Sequence, residues 1–424
     1  VPKDDAFEEH FAGTGDRDVA TTMAMVRLIT RLMDDPEIGK LIVPIVPDEA
    51  RTFGMDALFR KYGIYAHAGQ QYEPVDSHLL LYYRESKDGQ LLEEGITEAG
   101  SMASFTAAGT ANVTHGINTI PFFLFYSMFG FQRIGDLVWA AGDARCRGFL
   151  VGCTSGRTTL AGEGLQHQDG HSHILAGTVP NVVTYDPAFA YELAVIVRDG
   201  IKRMYHDREP ILYYITVQNE PYPQPEMPQG VEDGILKGLY KFRAAKNAKG
   251  KPRVHLFGSA AILREAIAAQ ELLEEQFGVA ADVWSATSYK TLRSEALACE
   301  RWNLLNPDKA PRVPYVTKVL ADEPWPVVAT SDYMKSVPDQ ISRWVPGGLY
   351  ALGTDGYGRS EARAELRDYF EIDARYTAFA ALQQLARAGK FDKSKLPQAA
   401  KALKINANKH DPMAPPKGET LQEK

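Results

Sequence analysis

Short apolar runs alternate along this chain with longer stretches of helical periodicity, and that alternation constrains its fold more than any other feature. Leu41–Val46 (LIVPIV) and Gly148–Cys153 (GFLVGC) are strand candidates, each ending abruptly in polar or glycine-containing loop sequence. The clearest unit is a strand at Asn181–Tyr185, a helix at Pro187–His206 and a strand at Ile211–Val217. In that helix Tyr191, Ala194, Val195 and Val197 fall near one face, while Arg198, Asp199 and Lys202 can face water. Strand–helix–strand order of this kind specifies α/β units around largely parallel sheets.

A Pro-rich segment (221–228) and a basic segment (241–251) interrupt the pattern, which then resumes. Val254–Phe257 reads as a strand, Ser259 as the cap of a helix through Glu275, and Ala281–Trp284 as the next strand. Val327–Thr330 and Tyr350–Gly353, each with following helices, repeat the unit. Two domains are expected, over residues 1–235 and 253–406, joined by a linker at 236–252 and followed by a disordered tail at 407–424.

Composition excludes several classes of function. With 45% hydrophobic residues in 424, the chain buries substantial cores and is no disordered segment. Lys+Arg number 47 against Asp+Glu 54, a net charge of −7, without the basic stripe a nucleic-acid binder needs. Three cysteines make no disulfide framework and suit a reducing compartment. The greasiest stretch, Thr119–Phe131, is too short for a membrane helix and is broken by Pro121 and Gly130. No signal-peptide pattern opens the sequence, so the expected location is cytoplasmic.

In open parallel sheets ligands bind beyond the carboxyl ends of the strands, which directs attention to the loops after LIVPIV and GFLVGC. The dinucleotide, P-loop, C-x-x-C and H-E-x-x-H signatures are absent, and Ser155 in GCTSG has the wrong spacing for a nucleophile elbow. His167-Gln168-Asp169-Gly170-His171-Ser172-His173 gathers three of ten histidines beside a carboxylate. It is open to three readings: a metal site, a catalytic or substrate-binding loop, or a structural loop. Asp48 and Glu49 are either an acid–base pair or the cap of a helix over Ala50–Leu58. Glu98 heads the small-residue run MASFTAAGTA, where a carboxylate is either buried with a partner or simply solvated.

Taken together, DEARTFGMDALFRKYGIY (48–65), EGITEAG (94–100), PFFLFYSMFGFQRIGDLVWAAGD (121–143), TSGRTTLAGEGLQHQDGHSH (154–173), CERWNLLNP (299–307) and GTDGYGRS (353–360) form a specific set. The chain resembles the carboxyl-terminal half of the homodimeric, bacterial-type first component of the pyruvate dehydrogenase complex over about residues 20–406. The resemblance implies a transketolase-like pyrimidine-binding domain followed by a transketolase-like carboxyl-terminal domain. It implies thiamine diphosphate as cofactor, pyruvate as substrate, and a lipoyl-bearing acyltransferase as acceptor. No nucleic-acid or membrane partner is implied.

The family's Gly-Asp-Gly motif, which holds Mg²⁺ and the diphosphate, does not occur in these 424 residues. No metal ligand is therefore expected in this chain, and the site is expected to be completed by a complementing amino-terminal segment or across a homodimer. By resemblance Glu98 is the cofactor-activating glutamate, exchanging a proton with the aminopyrimidine, a task that suits a carboxyl of raised pKa. Phe129 packs against that ring, and Tyr126 and His167 face the reacting substrate. Asp48 and Glu49 line the active-site channel, with Arg133 and Glu163 behind them. Gln168 stands where relatives often carry an acid, a change expected to bear on the ionisation of His167. Roles for His171 and His173 stay open. Two rival readings remain at this stage: another thiamine enzyme (transketolase or a different 2-oxo acid dehydrogenase), or a non-catalytic dimerisation or docking fragment.

Overall fold

A computed structural model describes residues 2, 5–47, 50–75, 83–160, 164–246 and 248–414. Its first sheet contains β1 (Ile42–Val46), β2 (Leu92–Glu93), β3 (Ile120–Tyr126), β4 (Gly148–Cys153), β5 (Val182–Tyr185) and β6 (Leu212–Thr216). The order is β2-β1-β3-β4-β6-β5, and every neighbouring pair is parallel. The stretch considered above only as a failed membrane span supplies the strand beside β4. All seven residues of β3 are buried, Pro121 among them.

Period-two alternation divides β3 between two cores. Phe122, Leu124 and Tyr126 join the cluster on one face, Phe123 and Phe125 the cluster on the other. Helices α1 (Thr21–Asp34) and α5 (Ala190–Ile201) cover the first face. The second is covered by α2 (Glu98–Thr114), α3 (Ser127–Asp143) and α4 (Ser172–Thr178). Small residues let α2 come close to its neighbours: a Cβ on Gly109 would lie 2.2 Å from Cys146 Sγ and 2.5 Å from the Arg147 carbonyl.

The second sheet contains β7 (Tyr240–Arg243), β8 (Arg253–Gly258), β9 (Ala280–Ser285), β10 (Val327–Thr330) and β11 (Leu349–Leu352). Its order is β7-β9-β8-β10-β11, parallel except for the antiparallel edge strand β7. Part of the segment expected to be linker is therefore a sheet edge. Helices α6 (Leu263–Gln276), α7 (Tyr289–Leu305), α8 (Arg363–Tyr369) and α9 (Ala374–Arg387) complete this half. Residues up to 414 are described, and Lys409 reaches back to Asp368 at 3.0 Å.

Local expectations differ from the structure in three places. Ser259 sits at the N-cap of a 3-10 turn that leads into α6, but its side chain makes no capping bond. Residues 50–55 form turns, and helix begins only at Asp56. The helix expected at 187–206 is α-helical over Ala190–Ile201, finishes in a π-turn at Lys202–His206, and is buried on all sides from Ala190 to Val197. That last difference arises because α5 packs against the helix at Asp5–Phe11, α1 and the helix at Glu232–Lys237. Glu192, fully buried, accepts from Ala188 N (2.5 Å), from Tyr240 Oη (2.6 Å) and from Ser285 Oγ (2.6 Å), so one carboxylate joins both domains. A single apolar cluster runs continuously from α5 to β8 and α6.

Candidate functional site

Glu98 is the first residue of α2, behind an N-cap at Thr97 whose hydroxyl accepts from Gly100 N at 3.2 Å. The helix start draws its carboxylate to the carboxyl edge of the first sheet, beside the end of β3. Its side chain is only 11% exposed, and Oε1 accepts from Arg133 Nη1 at 2.6 Å. Arg133 is held in turn by Phe129, one helical turn earlier on α3, with the guanidinium 4.3 Å from the ring centroid. The buried carboxylate thus has a half-exposed guanidinium as its partner.

His167 arrives from the long loop after β4 and packs against Tyr126 (4.7 Å between centroids) and Phe129 (5.3 Å). Phe53 supports Tyr126 from behind at 5.3 Å. Glu98, Arg133, Phe129, Tyr126 and His167, scattered over 70 positions of sequence, therefore meet at one place. Asp48, Glu49 and Glu163 lie outside the described residues.

The rest of the histidine cluster has a different task. Asp169 is fully buried and accepts from His171 N and Ser172 N, both at 2.9 Å, and from the Ser172 hydroxyl, capping the entry to α4. Tyr214 Oη donates to Ser172 Oγ at 2.8 Å. His173 is buried between Tyr214 and Tyr333, with Nε2 2.9 Å from Thr216 Oγ1. The Thr216 hydroxyl donates onward to Asp186 Oδ1 at 2.7 Å, so imidazole, hydroxyl and carboxyl form one chain. Beyond His167, the H-x-D-x-H-x-H pattern is thus a helix entry and a buried hydrogen-bonded chain.

Among the described residues one group has metal-like spacing, His255, Asp282 and Glu323. Its imidazole is already engaged: Trp284 Nε1 donates to Nδ1 (3.0 Å), and Nε2 meets the Glu323 carbonyl (2.8 Å). Arg253 donates to Asp282 at 2.7 Å and Lys241 to Glu323 at 2.6 Å, so this is an ion-pair network.

Burial holds the His173 imidazole below its ordinary value, with Asp169 opposing. It pushes Asp186 up to about 7 and Asp332 up to about 6. The signs differ. A depressed histidine contributes stability at neutral pH that is lost as pH falls below about 6.5, whereas raised carboxyls contribute stability at low pH that is lost as pH rises. The comparison of wild type with His173→Asn isolates the first: the gap between their urea midpoints should shrink from pH 7 to pH 5. A constant gap would contradict it.

Sequence reasoning missed how the loop after β4 is anchored in the second domain. Asp332, buried past the end of β10, accepts from Thr158 N (3.0 Å) and Thr158 Oγ1 (2.7 Å). Arg157 donates to the Thr354 carbonyl at 2.7 Å and to that of Gly356. Arg363 Nε donates to the Thr159 carbonyl at 2.7 Å. The glycine-rich word GTDGYGRS was the only signal available, since its glycines mark close backbone approach.

Two sheets in tandem, with a carboxylate and aromatic rings at the carboxyl edge of the first, define a transketolase-like chain. Transketolase from Leishmania mexicana superimposes with a TM-score of 0.65 at 14% identity, over 90% of this chain and 47% of that one. A structure titled "Split gene transketolase, inactive beta4 tetramer" does so at 0.57 and 16%, over 87% of this chain and 98% of that one. Residues 2–225 match the family described as pyruvate dehydrogenase E1 component middle domain, and residues 238–373 match the transketolase-like C-terminal domain. The chain belongs to the pyruvate dehydrogenase E1 component family. It is 52% identical over 414 residues to the pyruvate dehydrogenase E1 component of Pseudomonas aeruginosa, covering 97% of this chain and 47% of the relative. To that of Escherichia coli K12 it is 50% identical over 398 residues, covering 93% and 44%. The chain spans about half the length of the curated relatives it matches. No helix among the described residues is long and apolar enough to cross a membrane.

Proposed function

We propose that this chain supplies the pyrimidine-binding half of a thiamine-diphosphate site in a cytoplasmic, homodimeric pyruvate dehydrogenase. The reaction is oxidative decarboxylation of pyruvate with reductive acetylation of the lipoyl group of the acyltransferase component. Residues 1–235 are the pyrimidine-binding domain and 253–406 the carboxyl-terminal domain. The observation that carries the reading is the convergence of Glu98 with the rings of Phe129, Tyr126 and His167.

These residues fit a heteroaromatic cofactor. A nearly buried carboxylate, with Oε1 held by Arg133, retains Oε2 for a ring N–H, and Phe129 is partly exposed beside it. When bound, thiamine diphosphate supplies the electron sink for cleavage of a 2-oxo acid. Glu98 holds and returns a proton at its carboxylate, and Arg133 fixes the orientation of that carboxylate. Phe129 supports the ring. His167 and Tyr126 present polar tips that orient the pyruvate carboxylate or carbonyl and steady developing charge. Asp48 and Glu49 line the approach, with Glu163 behind. The diphosphate and Mg²⁺ are held by residues other than these 424, across a subunit interface.

Reconstitution tests this. The chain mixed with a separately expressed diphosphate-binding segment, Mg²⁺ and thiamine diphosphate is expected to release CO₂ from pyruvate, and neither part alone should do so. A scaffold would restore no turnover.

A further inference from the structure

Gln168 follows His167 directly and is 1% exposed. Its side-chain amide pairs both ways with one residue of the second domain: Nε2 donates to the Arg359 carbonyl at 2.6 Å, and Oε1 accepts from Arg359 N at 2.7 Å. Nε2 also lies 3.4 Å from the Leu160 carbonyl. The receiving backbone is shaped for this contact, since a Cβ on Gly358 would fall 2.6 Å from Gln168 Oε1 and 2.9 Å from the Leu165 carbonyl. Two residues further on, the Gly170 carbonyl accepts from Met334 N at 2.8 Å. His167 therefore leaves a backbone that the second domain grips at Gln168 and again at Gly170.

We propose that Gln168 is a positioning residue for His167, and that the second domain sets the histidine's place in the site through Gly358 and Arg359. The inference rests on the reading of His167 as a substrate-facing residue. It replaces the expectation that residue 168 acts on the ionisation of His167, because the amide is committed to the Arg359 peptide groups. An amide is suited to the task, as it offers a donor and an acceptor side by side at every pH.

The test uses the complete, cofactor-loaded enzyme and a double-mutant cycle on kcat with pyruvate. Gln168→Ala and Gly358→Ala are each expected to lower kcat roughly 10- to 100-fold, the scale of a misplaced catalytic group. Affinity for thiamine diphosphate should stay unchanged. In a His167→Ala background neither should lower it further. Gln168→Met, which keeps the bulk and loses both hydrogen bonds, should lower kcat as Gln168→Ala does, which also covers the case in which the alanine variants fail to fold. Additive losses in the His167→Ala background, or wild-type kcat in Gln168→Met, would overturn the positioning role. Unchanged kcat in His167→Ala alone would instead overturn the reading of His167, and the proposal with it.

Discussion

Glu98→Ala in the complete enzyme is expected to lower thiamine-dependent decarboxylation of pyruvate by roughly 100- to 10,000-fold, the range for loss of a positioned acid–base group. The variant should fold as well as wild type. Among the described residues its carboxylate has one partner, Arg133 Nη1, and the Arg133 side chain is 49% exposed, so water replaces the lost bond. Stability and activity therefore separate at this position. Wild-type turnover in Glu98→Ala would remove the residue from the chemistry. Glu98→Gln should be nearly as impaired, since an amide keeps the shape and loses the proton exchange.

Glu220→Ala should do the opposite, with its main effect on stability. Glu220 is 7% exposed and lies among three arginines. Arg367, its side chain 8% exposed, donates to both Glu220 oxygens, Arg264 Nη1 to Oε1 at 2.9 Å, and Arg363 Nε lies 4.0 Å from Oε2. Removing the carboxylate leaves the buried Arg367 charge to Glu265, 3.2 Å away, and to the more distant field of Asp332. Breaking a buried pair from one side costs about 3–5 kcal/mol, against a total stability of similar order. A clear fall in the urea midpoint is expected, with a smaller fall for Glu220→Gln, which can still accept a hydrogen bond. An unchanged midpoint would mean that water already solvates the cluster.

Much of the α/β framework was legible because it is local. Gly148–Cys153 and Val327–Thr330 occupy the limits read from apolar runs, since buried parallel strands must be apolar on both faces. The strand at Ile120–Tyr126 is hidden in the sequence by Pro121, which argues against a central strand, and by an apolar run that continues to Phe131. The burial of α5 and the pairing of β7 depend on elements distant in sequence and leave no local mark. In the site, a carboxylate heading a small-residue helix and a histidine-rich loop stood out, yet their convergence did not. Phe129 and Arg133 at i and i+4 are a legible pair, but nothing local says that Glu98 completes them. Asp169 belongs to a loop that the sequence leaves open between metal, catalytic and structural readings, and it binds the backbone N–H groups of His171 and Ser172 at the entry to α4, a distinction made by backbone conformation alone.

The most direct measurement is CO₂ release by the complete enzyme from pyruvate, 2-oxoglutarate and a ketose phosphate in parallel, with and without thiamine diphosphate. Strong, thiamine-dependent release from pyruvate is expected, with acetyl transfer to a lipoyl acceptor and little turnover of the other two. Preference for 2-oxoglutarate or the sugar phosphate, or release that ignores the cofactor, would contradict the account.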